Sequence, residues 1–537
     1  MDYKTELIDY RQTGYFSKIV TDLISGAAPL KNYYQHSLSN EGFLQAITER
    51  KIFSTNRKLL VEQLQLQYAD LKTTDKVKRN IESLNDPNTF TICTAHQPNL
   101  FTGHLYFIYK ILHTIKLADT LNRELTGNHF VPIFYMGSED ADLAELNHIY
   151  IEGDKYEWKT KQAGAVGRMV IDDELTGIIE DISRRFSVLP FGNEITEKLK
   201  HCYQKGVSIE QATFSFVNEL FSEYGLIILL PDNSILKKSM LTVFADDIFS
   251  NTSSDIVNTT SGKLSKLYKV QAHPREINLF YLKDDIRNRI IKKGNTFIVQ
   301  DTAIQFSEPQ LRKELNDFPE RFSPNVILRG LYQEMILPNI AFVGGGGELA
   351  YWLELKDLFQ HYHVPFPVLV LRNSFMLADK KANALINKLG VTFPSIFKEE
   401  AILINELVKR ETTNRLELGK EKKQLINQYE KIKTTALLVD STLSQHVDAL
   451  LAKVLKNIEA LEKKMVKAER SKFDAQQRQL HGLKKQLFPH SELQERVENF
   501  MTWYATYGAE FIKILYNISL TTEQQFCILT EVENKKN

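Results

Sequence analysis

The chain has 537 residues, 43% of them hydrophobic and 25% charged, the balance of an ordinary folded protein, and this length supplies roughly three or four domains' worth of material. Lys plus Arg and Asp plus Glu each number 67, so no net charge drives binding to nucleic acid or to a membrane surface. The first residues carry no basic and apolar leader, no window is apolar enough to span a bilayer, and Cys93, Cys202 and Cys527 lie far apart without CxxC spacing. The expectation is a cytoplasmic protein that engages neither nucleic acid nor membrane, with no disulfide framework and no protein-bound metal.

Residues 1–85 read as mostly helical and charged, packing on a larger body. From about 90, short β-rich runs alternate with helical stretches: Thr89–Thr94, Val131–Met136, Leu226–Leu230, Asn325–Leu328 and Val368–Leu371. Strands separated by helices predict an α/β fold with a mostly parallel sheet, whose ligands bind outside the carboxyl ends of the strands. Residues 145–225 and 240–320 interrupt the pattern as insertions. Past 395 the texture changes, and Lys420–Lys485 holds no proline and almost no glycine. Leu451, Val454, Ile458, Leu461, Met465 and Ala468 step by three and four, the seam of a coiled coil. Pro489 ends this run, and Leu493–Leu515 reads as a further amphipathic helix. The predicted organisation is a core over 1–390, a helical coiled-coil domain over 391–500, and a helical segment over 501–537 that packs back on the core.

Three clusters could carry chemistry. The first is the loop after Thr91–Thr94, which holds His96, Gln97, Asn99, Thr102, Gly103 and His104 before the helical spacing of Leu105, Ile108, Ile111, Leu112 and Ile115. A strand-to-helix turn of this kind can hold a phosphate on first-turn N–H groups, aided by the helix dipole. Lys110 and Lys116 on that helix read as solvated. The second cluster is Ser138, Glu139, Asp140 and Asp142, followed by Glu145, Asn147 and His148. Acids so crowded repel one another unless an ammonium or a divalent cation joins them, although acids also favour a first helical turn after an N-cap such as Ser138.

The third cluster is Gly344, Gly345, Gly346, Gly347 and Glu348, with Trp352 beyond. Four glycines permit positive φ and close approach of backbone to a ligand, though no Walker A sequence or GxGxxG spacing is present. His273–Glu276 reads as a loop containing Arg275, and Arg329 follows the run ending at Leu328. Lys263–Lys266 is a weak echo of the KMSKS signature. Neither GxSxG nor HExxH occurs.

Together these segments resemble the bacillithiol biosynthesis cysteine-adding enzyme family, BshC. The resemblance runs through His96–Tyr106, Ser138–Asp140, Glu145–His148, His273–Glu276, Asn278–Tyr281, Ser323–Val326 with Leu328–Arg329, Val343–Gly345 with Glu348–Trp352, and Leu487–Pro489 with Leu493–Phe500. This chain departs from the family pattern at His96-Gln97, at His104 where proline is usual, and at Gly346, where four glycines replace the usual Gly-Gly-Pro-Gly. The resemblance implies a Rossmann-like core similar to class I aminoacyl-tRNA synthetases, two connecting insertions, and a coiled coil that makes a homodimer. It also implies a ligase that adds L-cysteine to the amine of glucosaminyl-malate, with ATP, alone or with Mg²⁺, activating the cysteine carboxylate as an acyl-adenylate or acyl-phosphate. In that scheme the 96–104 loop is catalytic, Gly344–Glu348 and Trp352 meet the nucleotide, and Ser138–Asp142, Asn147, His148, Arg275 and Arg329 meet the substrates. The alternatives are a non-catalytic nucleotide-binding scaffold and a nucleotidyltransferase acting on another amine.

Overall fold

The computed structural model describes residues 3–414 and 416–532. The chain divides into two units, one built from 5–376 with 492–527 and the other around 377–491. The sequence reading placed these divisions at 390 and 500.

The first unit is organised on five strands: β1 (Thr89–His96), β2 (His129–Met136), β3 (Ile227–Leu229), β4 (Asn339–Gly344) and β5 (Val368–Leu371). All four pairings are parallel, and the spatial order is β5-β4-β1-β2-β3. Read from the other edge this is 3-2-1-4-5, the strand order of a doubly wound nucleotide-binding fold. The strands are apolar and buried because helices cover both faces, as a parallel sheet requires. On one face Phe90, Ile92, Ile340, Val343, Val368 and Val370 pack with Phe43, Ile47, Leu117 and Leu121. Two hydroxyls tie β1 to β4, Thr91 Oγ1 donating to Asn339 Oδ1 at 3.1 Å and Thr94 Oγ1 to the Val343 carbonyl at 2.7 Å.

Four of the five expected strands form. The fifth, Asn325–Leu328, is instead the start of a helix over Val326–Ile336, because the Asn325 side chain accepts from the Ile327 N–H at 2.8 Å and caps it. The missing central strand is β4, the apolar run just before the glycines. The second insertion carries most of an antiparallel sheet, including Leu279–Lys283 and Ile286–Lys293, and Phe322–Pro324 joins it from just beyond the insertion.

Leu493–Leu515 is not one helix. It begins as a short 3-10 turn and becomes two helices, Met501–Tyr507 and Ala509–Ile518, broken at Gly508 with φ +66°. The chain end, read as helical, contains the strand Phe526–Glu531.

The second unit is helical, dominated by a hairpin of Gly419–Leu437 and Leu443–Arg470. Ion pairs Lys422–Glu462 at 2.6 Å and Lys433–Asp448 at 2.8 Å join its arms. The predicted seam is only half covered within one chain: Leu451, Val454, Ile458 and Met465 are half-buried, while Leu461 and Ala468 are exposed. No helix among the described residues is long and apolar enough to cross a membrane.

Candidate functional site

In the order 3-2-1-4-5 the chain leaves β1 toward β2 and leaves β4 toward β5, so the crossovers diverge between β1 and β4. Open α/β sheets bind ligands at that crevice. A cavity of about 360 Å³ opens there, and the carboxyl end of every strand reaches it. His96 and Gln97 come from β1, Glu139 and Asp140 follow β2, Pro231 follows β3, Gly345–Gly347 follow β4, and Arg372 follows β5. The helix after β1, Leu105–Glu124, adds Tyr106 and Lys110, while Glu145, Arg287, Asn325, Arg329, Tyr351, Glu348 and Arg496 also line the wall.

One side of the cavity is built for anions. Lys110, 2% exposed, donates to the Ala95 carbonyl and to Glu348 Oε2, the latter at 2.6 Å. Glu348 Oε2 also accepts from the Gly345 N–H at 2.8 Å, at the opening of the helix Gly346–His361. Arg372 is aimed by Glu495, buried at 0% exposure, with Nη2 to Oε1 at 2.8 Å, and its Nη1 donates to the Asn373 carbonyl at 2.9 Å. Arg329 Nη2 donates to Tyr351 Oη at 2.5 Å, whereas its buried Nη1 has no acceptor among the described residues. A buried cationic N–H without an acceptor is costly, and a ligand carboxylate or phosphate would satisfy it.

The other side is acidic. Asp140 Oδ2 accepts from Gln97 Nε2 at 3.2 Å, and Arg287 stands 3.9 Å from Oδ1. Glu139 forms a buried ion pair with Lys237, which also approaches Asp232 at 3.3 Å. Burial pushes the Glu139 carboxyl up to about 6 even though Lys237 pulls it down. His96 is pushed well below the ordinary histidine range, first by burial and then by Lys110, His104, Arg372 and Arg329. It therefore stands in the cavity as a neutral imidazole.

The histidine loop splits in two. His96 and Gln97 line the cavity, but Asn99, Thr102, Gly103 and His104 do not. Phe101 and Thr102 hold positive φ, and Asn499 Nδ2 bonds the carbonyls of Phe101 (3.0 Å) and Gly103 (2.5 Å). His104 Nδ1 meets the Val497 carbonyl at 2.9 Å, and the Leu105 N–H at the helix start is taken by the Glu498 carbonyl at 2.8 Å. The phosphate site expected at this helix start is thus sealed by 497–499. The open helix start is the one at Gly345–Gly347.

The second cluster divides likewise. Glu139 and Asp140 face the cavity; Ser138 is buried, and Asp142 caps the short helix Leu143–Leu146 through the Glu145 N–H. Asn147 donates to the Trp158 carbonyl and His148 meets Asn147, both outside the cavity wall. Arg275 is exposed on its loop, and Lys263–Lys266 ends the helix Thr252–Leu264 away from the site. None of the four glycines takes a positive φ; their smallness serves close approach, and only at Gly347 would a Cβ meet nothing within 4 Å. Trp352 is core, stacked on Phe342 at 4.5 Å.

Lys110, which the helix pattern placed in solvent, is among the most buried cations of the site. Arg372 carried a legible signal, a charge at the carboxyl end of a strand in an open sheet. Among the described residues no group of three or more His, Cys, Asp or Glu is placed to hold a metal ion.

Comparison with known proteins adds two matches and several relatives. The model described as "Bacillithiol biosynthesis BshC, N-terminal Rossmann-like domain" matches residues 3–373, and "Bacillithiol biosynthesis BshC, C-terminal coiled-coil domain" matches 375–531. Proteins named "Putative cysteine ligase BshC" are similar along nearly their full length. That of Christiangramia forsetii is 38% identical, covering 98% of this chain and 99% of the relative. That of Flavobacterium johnsoniae is 36% identical with the same two coverages. A solved structure titled as an arginyl-tRNA synthetase from Campylobacter jejuni aligns at 9% identity and a TM-score of 0.20, over 85% of this chain and 100% of that one, a score too low to bear on the fold.

Proposed function

The chain belongs to the bacillithiol biosynthesis BshC family, and from that premise we propose that it is a cytoplasmic cysteine ligase. The reaction is ATP-dependent amide formation between the carboxylate of L-cysteine and the amine of glucosaminyl-malate. The observation that carries this reading is the cavity at the strand ends, which presents cations and helix N–H groups on one wall and carboxylates with a neutral imidazole on the other.

A free carboxylate resists attack by an amine, so one of its oxygens must first bond to phosphorus and become part of a leaving group, as an acyl-adenylate with release of pyrophosphate or an acyl-phosphate with release of ADP. ATP supplies that leaving group. Gly345–Gly347, Lys110 and Arg372 hold its phosphate charge, with Mg²⁺ entering on the nucleotide. Asp140 is the acceptor for the cysteine ammonium. Arg329 and Arg496 supply guanidinium forks for the two malate carboxylates. His96 takes the proton that the glucosamine nitrogen must lose as its bond to the acyl carbon forms and the phosphate-bearing group departs. Burial and the neighbouring cations leave its lone pair free but disfavour its protonated form, and the negative charge of bound ATP offsets those cations when the proton is taken up. The coiled coil, with its half-covered seam, joins two copies into a homodimer.

Purified protein incubated with L-cysteine, ATP, Mg²⁺ and glucosaminyl-malate tests the reading by mass spectrometry of the product and quantitation of the nucleotide. Cysteinyl product with stoichiometric ATP cleavage is the expected result. Nucleotide binding without turnover would replace the ligase with a scaffold. Pyrophosphate release without a cysteinyl product would indicate a nucleotidyltransferase acting on another amine.

A further inference from the structure

The place where the glycine loop would hold a ligand's phosphate is already taken by an anion of the protein. Glu348 Oε2 accepts from the Gly345 N–H at 2.8 Å and from Lys110 Nζ at 2.6 Å. The two donors are fixed: one is backbone at a strand end, and the other is a lysine side chain 2% exposed and hooked to the Ala95 carbonyl. The acceptor is the looser partner, with a side chain 24% exposed at the cavity wall. Arg372 Nε lies 3.8 Å from the point a Gly345 Cβ would occupy, so an anion seated on these donors would meet a second cation.

Any ligand anion that uses Lys110 and Gly345 must therefore evict a carboxylate that already satisfies them. Replacing one acceptor by another of similar charge gains little. A polyphosphate gains more, because its further oxygens reach Arg372 and the remaining first-turn N–H groups while one oxygen displaces Glu348.

We propose that Glu348 is a specificity-determining residue, an internal competitor that makes the cavity select polyphosphate over single phosphate or carboxylate anions. The inference rests on the reading of Gly345–Gly347 as the phosphate cradle. Its test is separable from that reading because it measures anion binding rather than ligation.

Titration calorimetry of the full chain with pyrophosphate and with inorganic phosphate provides the test, on wild type and Glu348→Gln. Glutamine keeps an oxygen for the Gly345 N–H but surrenders the charge held by Lys110. Wild type should bind pyrophosphate at least about tenfold tighter than phosphate. Removing the like charge should raise phosphate affinity by about tenfold or more and collapse that ratio. Unchanged or weaker phosphate binding by Glu348→Gln, with pyrophosphate still bound, would overturn the competitor role alone. Failure of both chains to bind either anion would overturn the phosphate reading together with it. Should the variant melt far below wild type, a crystal structure of wild type with pyrophosphate decides. Pyrophosphate on Lys110 with Glu348 displaced supports the proposal, and pyrophosphate bound with the Lys110–Glu348 contact intact contradicts it.

Discussion

His113 shows how single buried residues hold the site in shape. The Asn373 N–H donates to its Nδ1 at 3.1 Å, and its Nε2 meets the Thr521 carbonyl at 2.8 Å, so only the neutral Nε2–H tautomer satisfies both neighbours. Burial pushes its pKa down to about 4, although the Thr521 carbonyl pulls it back up. The unfolded chain takes a proton near pH 6.5 and the folded chain refuses it until about pH 4. The stabilisation is therefore full above 6.5 and is lost as pH falls toward 4, on the order of 3 kcal/mol in all. Denaturant melts of His113→Gln across this window should show a flatter pH dependence than wild type; an unchanged slope would assign the acid sensitivity elsewhere. Because His113 binds Asn373, beside Arg372, the same substitution should also loosen the cavity's anion wall.

Glu495 makes a second residue-scale prediction. It is fully buried and holds Arg372 Nη2, Ser374 Oγ and the Phe375 N–H. Removing one partner of such a pair costs about 3–5 kcal/mol, so Glu495→Ala should lower the melting temperature and the turnover together. A variant with wild-type stability and rate would mean that Arg372 needs no aiming. None of this was legible locally. The Lys110 position looks solvent-facing on a helical wheel, and the carboxylates that pair with it and with Arg372, Glu348 and Glu495, lie 238 and 123 residues away.

At the scale of elements, apolar runs bounded by turns gave the strands at Thr89, Val131, Leu226 and Val368, but four apolar residues do not distinguish strand from helix. Asn325–Leu328 became a helix because a side-chain cap and eight more helical residues outweighed β-branching. Residue types alone single out the histidine loop as a candidate locus. Its division into a cavity-facing pair and a structural remainder depended on Asn499, which no spacing reveals. Two glycines separate these roles experimentally. Gly103 has φ +65° and a Cβ there would lie 2.7 Å from that of Asn99, so Gly103→Ala should destabilise by roughly 2 kcal/mol or more. Gly347 has neither constraint, so Gly347→Ala should keep the melting temperature while weakening pyrophosphate binding. Equal binding by Gly347→Ala and wild type would place the phosphate elsewhere.

At the scale of the whole molecule, strand alternation with helices foretold a parallel sheet, and the order 3-2-1-4-5 then places the crevice without reference to any motif. The insertions were visible only as breaks in periodicity, so Arg287, carried by the second of them, could not be anticipated as part of the wall. The helical hairpin has no buried residue in Gly419–Leu437 and only Val447 in Leu443–Arg470. An arm so poorly covered by its own chain predicts a dimer mass in multi-angle light scattering, and a monomer mass at micromolar concentration would contradict it. The central claim is that ligation occurs in the cavity where all five strands end. The rate of cysteinyl-glucosaminyl-malate formation by Arg329→Ala, compared with wild type at equal melting temperature, tests it most directly. Loss of a desolvated guanidinium partner should reduce that rate about a hundredfold or more, whereas a variant that ligates at the wild-type rate would contradict the account.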